Sequence, residues 1–415
     1  MKKAKKKIKR CIKQNKLFSN IYKILLYKKR KTTYSLKYKN KYKTDNKTIL
    51  FTSFWSKKYN CNPKGIYKAM VNNSKYSDYT FVWAFVNKQK YDFLSKNKNT
   101  VLVKLYSKEY YKYCAKAKFI ITNTSIPNWI SFKKDQLYIN TWHGKPIKKI
   151  GSNVNLDIDK SKDLKKIHKG FRKSGQKFIY IFSPAPFFTE KMATAYGLEK
   201  NSKKVIEVGY PRNDFLFTYT DADVKRIKKE LKIPFGKKVI LYVPTWRNYE
   251  HNKKYGYVYQ EALNFEKLSK ELGKDYVILF KAHNMEEKNI DASKFKDLIY
   301  DVSHVEDINE LYIISDLMIS DYSGAIFDYA NLKRPMLYYM WDKKKYIEES
   351  RGVDFDFGEL PGPIITKEKE LSHAIKEHIK NFKYDSKYKK FNEKYNCLDG
   401  KDCGKKFVDN YIYHK

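Results

Sequence analysis

The chain has 415 residues, 42% of them hydrophobic. That is enough to bury two cores of ordinary size and too apolar for a disordered polymer. Its 87 basic residues against 45 acidic ones give a formal charge of +42, which suits an anionic substrate, a nucleic acid or an anionic membrane. Five scattered cysteines without a C-x-x-C pair point to reduced thiols rather than a disulfide framework or a zinc site.

The charge is concentrated at the start. Between Met1 and Thr44 there are 18 Lys or Arg and no Asp or Glu, leaving +24 for the rest of the chain. Within that stretch Ile8, Cys11, Ile12, Phe18, Ile21, Tyr22, Leu25 and Leu26 recur at three-to-four spacing with lysines between them, the pattern of a basic amphipathic helix. Residues 1–46 are therefore expected to lie on an anionic membrane surface, each basic group adding about 1 kcal/mol near the headgroups. The competing reading is a solvated or RNA-binding tail; the aliphatic stripe and the lack of an RNA-recognition signature favour the membrane over nucleic acid. No signal peptide or apolar run of transmembrane length is read in the sequence.

From Lys47 short apolar runs alternate with polar, helical segments. T-I-L-F-T-S-F, Y-T-F-V-W-A-F-V, T-V-L-V-K-L, K-F-I-I-T-N and Q-L-Y-I-N-T-W read as buried parallel strands, with a crossover helix at 107–118. After about residue 200 a second series follows: K-V-I-E-V-G, K-V-I-L-Y-V-P-T, Y-V-I-L-F-K, L-I-Y-D-V, S-D-L-M-I-S and P-M-L-Y-Y-M, with helices at 221–231 and 264–272. Two such series predict an α/β protein of two doubly wound, Rossmann-like domains, 47–205 and 206–385, with a cleft between them at the strands' carboxyl ends. A helical tail is expected over 386–415, with Cys397 and Cys403 in structural roles.

Candidate chemistry gathers at strand ends. His143, in N-T-W-H-G-K-P-I-K-K-I-G, follows one strand in a tight turn, where an imidazole can take a proton from an alcohol. His283 and Lys281 follow another in F-K-A-H, alternating in phase. The segment S-D-Y-S-G-A-I-F-D-Y parses as strand, turn and helix: Ser323 reads as N-cap, the helix start as an anion site for a diphosphate, and Asp328 as an acceptor for ligand hydroxyls. Arg212 in G-Y-P-R-N-D and Thr245, Trp246 and Arg247 in V-P-T-W-R add a phosphate fork and an aromatic flank. An ordinary capped βαβ helix is the plain alternative for the serine segment.

These motifs, in this order, resemble those of the CDP-glycerol glycerophosphotransferase family of teichoic acid synthesis, its glycerol- and ribitol-phosphate transferases. The later R-G-V-D-F-D-F-G-E-L-P-G-P and the early F-W-S-K-K-Y-N-C-N-P-K-G-I-Y belong to the same resemblance, which spans roughly residues 48–385. It implies a GT-B fold, with 47–205 as the acceptor domain and 206–385 as the CDP-alcohol-binding domain, and transfer of glycerol phosphate from CDP-glycerol, or another CDP-alcohol, to a hydroxyl of a lipid-linked saccharide or polymer, releasing CMP. It further implies that the transfer is metal-independent and cofactor-free, and that the enzyme sits peripherally on the cytoplasmic face of the cell membrane. Carried over, His143 and His283 are the catalytic histidines, and Gly144, Lys145, Pro146, Arg212, Thr245, Trp246, Arg247, Lys281, Ser323, Gly324 and Asp328 bind the CDP-alcohol. Lys145 stands where the family commonly has Thr, and Gly324 where a second Ser is usual. The alternatives are a ribitol-phosphate donor and a GT-B glycosyltransferase of capsule synthesis using a nucleotide sugar. The lean chain is expected to suit a primase or a short-chain transferase.

Overall fold

A computed structural model of the chain describes residues 16–154, 164–245, 247, 251–252, 256–257, 263–281, 298–349 and 352–413. Two of the expected site residues, Trp246 and His283, and the first 15 residues of the basic segment lie outside that set. The chain divides into two compact units, Met1–Tyr59 with Val71–Asn140, and Asn60–Met70 with Thr141–Lys415.

In the first unit helix α1 (Lys16–Tyr34) leads into strand β1 (Asp45–Thr52). Ile21, Ile24 and Leu25 on α1 are exposed, whereas Tyr34 at its end is buried beside Tyr38 and Tyr111. After helix α2 (Cys61–Val71), which belongs almost wholly to the second unit, come β2 (Thr80–Phe85), β3 (Thr100–Lys104), α3 (Lys108–Lys116), β4 (Ala117–Thr122) and β5 (Leu137–Asn140). These strands are parallel in the order β3-β2-β1-β4-β5. The last five residues of β1 and of β2 are buried without alternation, as strands covered on both faces must be. Ser107 starts α3 as the sequence suggests, its hydroxyl accepting the Tyr110 N–H at 3.1 Å.

The second unit continues with α4 (Leu164–Lys177), β6 (Tyr180–Ser183), α5 (Pro186–Ala195), β7 (Val205–Glu207), α6 (Asp214–Thr218), α7 (Asp221–Glu230) and β8 (Lys238–Val243). Next come α8 (Phe265–Leu272), β9 (Tyr276–Phe280), β10 (Ile299–Asp301), α9 (Ile308–Ile314), β11 (Leu317–Ser320), α10 (Ala325–Ala330) and β12 (Met336–Tyr339). The last elements are α11 (Lys343–Glu349), β13 (Ile364–Ile365), α12 (Leu371–Lys380), α13 (Ser386–Tyr395) and α14 (Cys403–Val408). A six-stranded parallel sheet runs β10-β9-β8-β11-β12-β13. Ile240, Ile278, Leu317 and Leu337 from its strands pack with Leu268, Leu272, Leu371 and Ile375 from α8 and α12, each buried side chain stabilising the fold by about 1.5–3 kcal/mol. A capping box of Thr220 and Asp223 starts α7, and Asn264 caps α8.

Two expectations need correcting. K-V-I-E-V-G does not open the second sheet: β7 pairs in parallel with β6, Ile181 opposite Val205, because an apolar run fixes a strand and not its partner. The tail is not a single helix either. Between α13 and α14 the turn at 396–402 runs inward, and Leu398 approaches Gly209 so closely that a Cβ there would stand 2.0 Å from the Leu398 carbonyl oxygen. The α/β architecture with parallel sheets is the one the sequence predicts.

Candidate active site

In the six-stranded sheet the chain passes from β8 outward to β10, then returns to β11 on the other side of β8. The carboxyl ends of β8 and β11 therefore flank a topological switch point, where open α/β sheets bind ligands. Thr245 and Arg247 follow β8, and Asp321, Tyr322 and Ser323 follow β11. The Thr245 N–H lies 3.0 and 3.1 Å from the two Asp321 oxygens, tying the strand ends together. The Thr245 hydroxyl is buried and finds no hydrogen-bond partner among the described residues. Gly324, not Ser323, occupies the N-cap position of α10, while the Ser323 hydroxyl accepts the Ala325 N–H at 3.2 Å. The turn packs on the W-H-G-K loop: a Cβ on Gly324 would stand 2.2 Å from the Lys145 carbonyl oxygen. Glycine therefore stands there because a serine would not fit that approach.

The W-H-G loop is held from below by side chains of α2 and of the G-Y-P-R-N-D turn. Asn62, in the first turn of α2, donates to the carbonyls of Thr141 at 2.9 Å and Trp142 at 3.2 Å. Its Oδ1 accepts the Arg212 N–H at 3.2 Å. Trp142 adopts a left-handed φ of +53°, a conformation a bulky residue keeps only when its surroundings over-determine it. Its ring lies 4.4 Å from that of the half-buried His143. Arg212 Nη1 donates to the His143 carbonyl at 2.8 Å, and Nη2 pairs with Asp328. The Tyr210 hydroxyl donates to the Gly144 carbonyl at 3.1 Å. One guanidinium thus ties the His143 backbone to the helix that follows the serine turn.

Several sequence-predicted ligand groups are engaged by the protein itself. Lys145 was expected to meet an anionic ligand; its ammonium is instead fully buried, 2.5 Å from Asp399 and 2.6 Å from Asn396 Oδ1. Asp399 also accepts the Tyr210 N–H at 2.9 Å and the Asn213 and Asn331 amides at 3.0 Å. Asp328 was expected to accept ligand hydroxyls; it is buried and takes Arg212 and the Asn213 amide, the latter at 2.9 Å. Arg247 was expected to bind the CDP-alcohol; it is buried between Asp321 at 2.8 Å and Asp342 at 2.7 Å, with Tyr322 and Tyr346 each 5.1 Å away. Lys281 donates to the carbonyls of Ser303 at 2.8 Å and Val305 at 2.6 Å. The reason is common to all four. Burying a charge is costly unless it is paired, so a charged residue at a strand end is drawn to the nearest opposite charge or carbonyl. Pro146 is half-buried in the same loop, where Lys149 N–H donates to Gly352 O at 3.0 Å and Asp354 N–H to Ile147 O at 2.9 Å. This joins the R-G-V-D-F stretch to the W-H-G loop.

Sequence reasoning did not single out Asn62, Tyr210, Asn213, Asp321, Asp342, Asn396 or Asp399. Asn62, Tyr210, Asn213 and Asp321 lie inside the family-like motifs, and Asn213 and Asp321 were legible as short polar residues at strand ends. Asp399 had no signal, since its position depends on a turn that the tail's composition does not reveal. Among the described residues no group of three or more His, Cys, Asp or Glu is placed to hold a metal ion, and no helix is long and apolar enough to cross a membrane.

A family model described as CDP-glycerol:poly(glycerophosphate) glycerophosphotransferase matches residues 32–412. The chain is 34% identical over 370 residues to a teichoic acid poly(glycerol phosphate) polymerase of Bacillus spizizenii, covering 89% of this chain and 92% of that one. It is 36% identical over 339 residues to a teichoic acid glycerol-phosphate transferase of Staphylococcus aureus, covering 81% and 85%. The solved structure of the wall teichoic acid polymerase TagF, as an asparagine-for-histidine variant soaked with CDPG, is similar with a TM-score of 0.82 and 30% identity, covering 96% of both chains.

Proposed function

Since the chain belongs to the CDP-glycerol:poly(glycerophosphate) glycerophosphotransferase family, we propose that His143 is the general base of a glycerol-phosphate transfer that builds teichoic acid. The acceptor hydroxyl attacks the glycerol-bearing phosphorus of CDP-glycerol in line and gives its proton to His143. The bond from that phosphorus to the bridging oxygen breaks, and CMP leaves with that oxygen. Developing charge on the phosphate oxygens is met by the backbone N–H groups and hydroxyl at Ser323, with the Thr245 hydroxyl beside them. His283 keeps its proposed part as a second histidine on the donor side. The scheme calls for no metal.

The observation that carries this reading is the Arg212 guanidinium, which binds the His143 carbonyl with one nitrogen and Asp328 of the S-D-Y-S-G-A-I-F-D segment with another. The histidine motif and the serine motif are thereby assembled at one place in the second unit. Replacing His143 with Ala or Asn should cut CMP release at least a hundredfold, the lower end of general-base contributions of about 10²–10⁴, while CDP-glycerol binding persists. Turnover retained in that variant sinks the assignment. Two of the similar proteins are polymerases, which supports repeated addition rather than a single priming step; product length in the same assay reads this out.

The exposed Ile21, Ile24 and Leu25 of α1, in a basic segment, support a peripheral place on an anionic membrane at its cytoplasmic face, where a lipid-linked acceptor is presented. Deleting residues 1–44 is expected to abolish sedimentation with anionic vesicles.

A further inference from the structure

We propose that a pocket in the first unit, at the switch point of its sheet, binds one uncharged sugar ring of the acceptor. There the chain runs from β1 outward to β3 and returns to β4 beside β1, so the carboxyl ends of β1 and β4 flank a crevice of the kind where open sheets take ligands. Thr52 and Thr122 close its floor with a hydroxyl-to-hydroxyl bond of 2.9 Å. Above them lies a cavity of about 250 Å³ lined by Trp55, Tyr106, Tyr110, Trp129, Ser56 and Ser125 among others.

The size and chemistry of the cavity select its ligand. It is smaller than the roughly 300–1,000 Å³ of pockets that take drug-sized ligands, so it holds a ring rather than a nucleoside diphosphate. No Asp, Glu, Lys, Arg or His is among its lining residues, although the chain carries +42, and a phosphate there would be desolvated without a counter-ion. Arg30 stacks on Trp129 at 4.7 Å but is not a lining residue. Aromatic faces carry negative charge density and attract the positively polarised C–H face of a pyranose, while hydroxyls at Ser56 and Ser125 match its rim. The Tyr110 hydroxyl and the Trp129 indole N–H, both on lining residues, are buried and meet only weak neighbours, the Cys114 thiol and the Tyr111 hydroxyl.

The backbone adds an independent sign. Phe54, Trp55 and Ser56 have φ of +43°, +55° and +64°, and Tyr106 has +66°. Non-glycine residues held in this region cluster at ligand clamps, because the surrounding structure must enforce the strain. The clamp is visible: Asn123 Oδ1 accepts the Phe54 N–H at 2.8 Å, Thr124 Oγ1 the Trp55 N–H at 3.3 Å, and the Ser56 carbonyl the Val86 N–H at 2.7 Å. The result is that Trp55 is left 55% exposed and Tyr106 50% exposed, large aromatic groups held at the rim of the cavity they line.

Assigning the sugar to the acceptor rests on the transferase reading above; the pocket's preference for a sugar ring does not. The full chain labelled with 5-fluorotryptophan gives one fluorine signal for each of its six tryptophans, and Trp55→Phe and Trp129→Phe variants assign two of them. Titration with methyl hexosides and their 2-acetamido analogues should shift the Trp55 signal saturably, the shift should vanish in Tyr106→Ala, and glycerol 3-phosphate should leave it unmoved. No saturable shift, or an equal one with glycerol 3-phosphate, overturns the pocket. In turnover, Trp55→Ala should raise KM for an acceptor that carries a saccharide unit behind its terminal glycerol phosphate at least tenfold with KM for CDP-glycerol unchanged, and Trp55→Phe should restore most of it. An unchanged acceptor KM overturns the acceptor assignment. A chain that binds the glycoside but never uses CDP-glycerol supports the pocket and counts against the transferase reading alone.

Discussion

Removing the Asp399 carboxylate is the most demanding test of how the W-H-G loop is held. That carboxylate is fully buried, as is Lys145, and accepts hydrogen bonds from Lys145 at 2.5 Å, Tyr210 N–H at 2.9 Å, and Asn213 and Asn331 at 3.0 Å. Leucine at 399 leaves an ammonium buried without its counter-ion, which costs about 3–5 kcal/mol. It also strips three neutral donors of their acceptor, each adding about 1 kcal/mol where no other partner is reached. Asn213 keeps Asp328 as an acceptor, whereas the Tyr210 N–H and the Asn331 amide lose theirs, so the expected loss for Asp399→Leu is about 5–7 kcal/mol, among the largest effects of single substitutions. Lys145→Met should lose only about 3 kcal/mol, because the carboxylate keeps its other three donors. The double variant should lose less than the sum of the two, since the charges no longer face each other unpaired. Urea unfolding followed by circular dichroism measures all three. Burial pushes the Asp399 carboxyl up, but Lys145 and the donors outweigh that and hold it below the usual range. Its contribution is therefore present above about pH 4 and lost as acid takes the pH through the folded value. An Asp399→Leu variant within about 1 kcal/mol of the parent, a tenth or so of a typical stability, would refute the argument, as would strict additivity.

Three further predictions follow from neighbouring contacts. Burial pushes the Asp214 carboxyl up to about 7 even though it accepts the Cys403 and Gly404 N–H groups at 3.0 and 2.9 Å. The native state therefore binds this proton more tightly than the unfolded one, and the stabilisation present below about pH 4 is lost as the pH rises through 7, at up to about 1.4 kcal/mol per unit. Asp214→Asn should flatten urea midpoints across that window, and parallel profiles would count against the assignment. Gly324→Ala drives a Cβ to 2.2 Å from the Lys145 carbonyl oxygen; a loss of about 1–3 kcal/mol in thermal unfolding is expected, and an unchanged melt rejects the close approach. Arg212→Lys replaces a planar fork by a point charge that cannot reach both the His143 carbonyl and Asp328. Turnover should fall about tenfold, or 1.4 kcal/mol, with the fold retained, and parental kcat would contradict the bridging role.

How much was legible differs from element to element. The strand at Ile49–Phe51 and the helix at 108–116 were readable because unbroken apolar runs and a serine cap are local signals. The partner of Val205–Glu207 was not, because pairing is chosen by chain connectivity and packing. At the site, His143, Arg212 and Ser323 were marked by type and by their place after apolar runs. The sequence could also mark Lys145 and Asp328 as charged, but not that each would meet a buried partner from far along the chain.

The sequence alone determined the alternation of strands and helices, and hence the class of fold and the strand ends at which chemistry gathers. Those features rest on interactions between residues a few positions apart. Tertiary structure decided which charges stay available to a ligand and which lock the scaffold. Lys145 and Asp399 are 254 residues apart, and only packing can bring them to 2.5 Å with both side chains fully buried, where the pairing holds the carboxyl below its usual range despite desolvation. Tertiary structure also decided that Trp55 and Tyr106 would be strained and exposed rather than buried, because that outcome depends on Asn123, Thr124 and Val86 arriving from neighbouring strands.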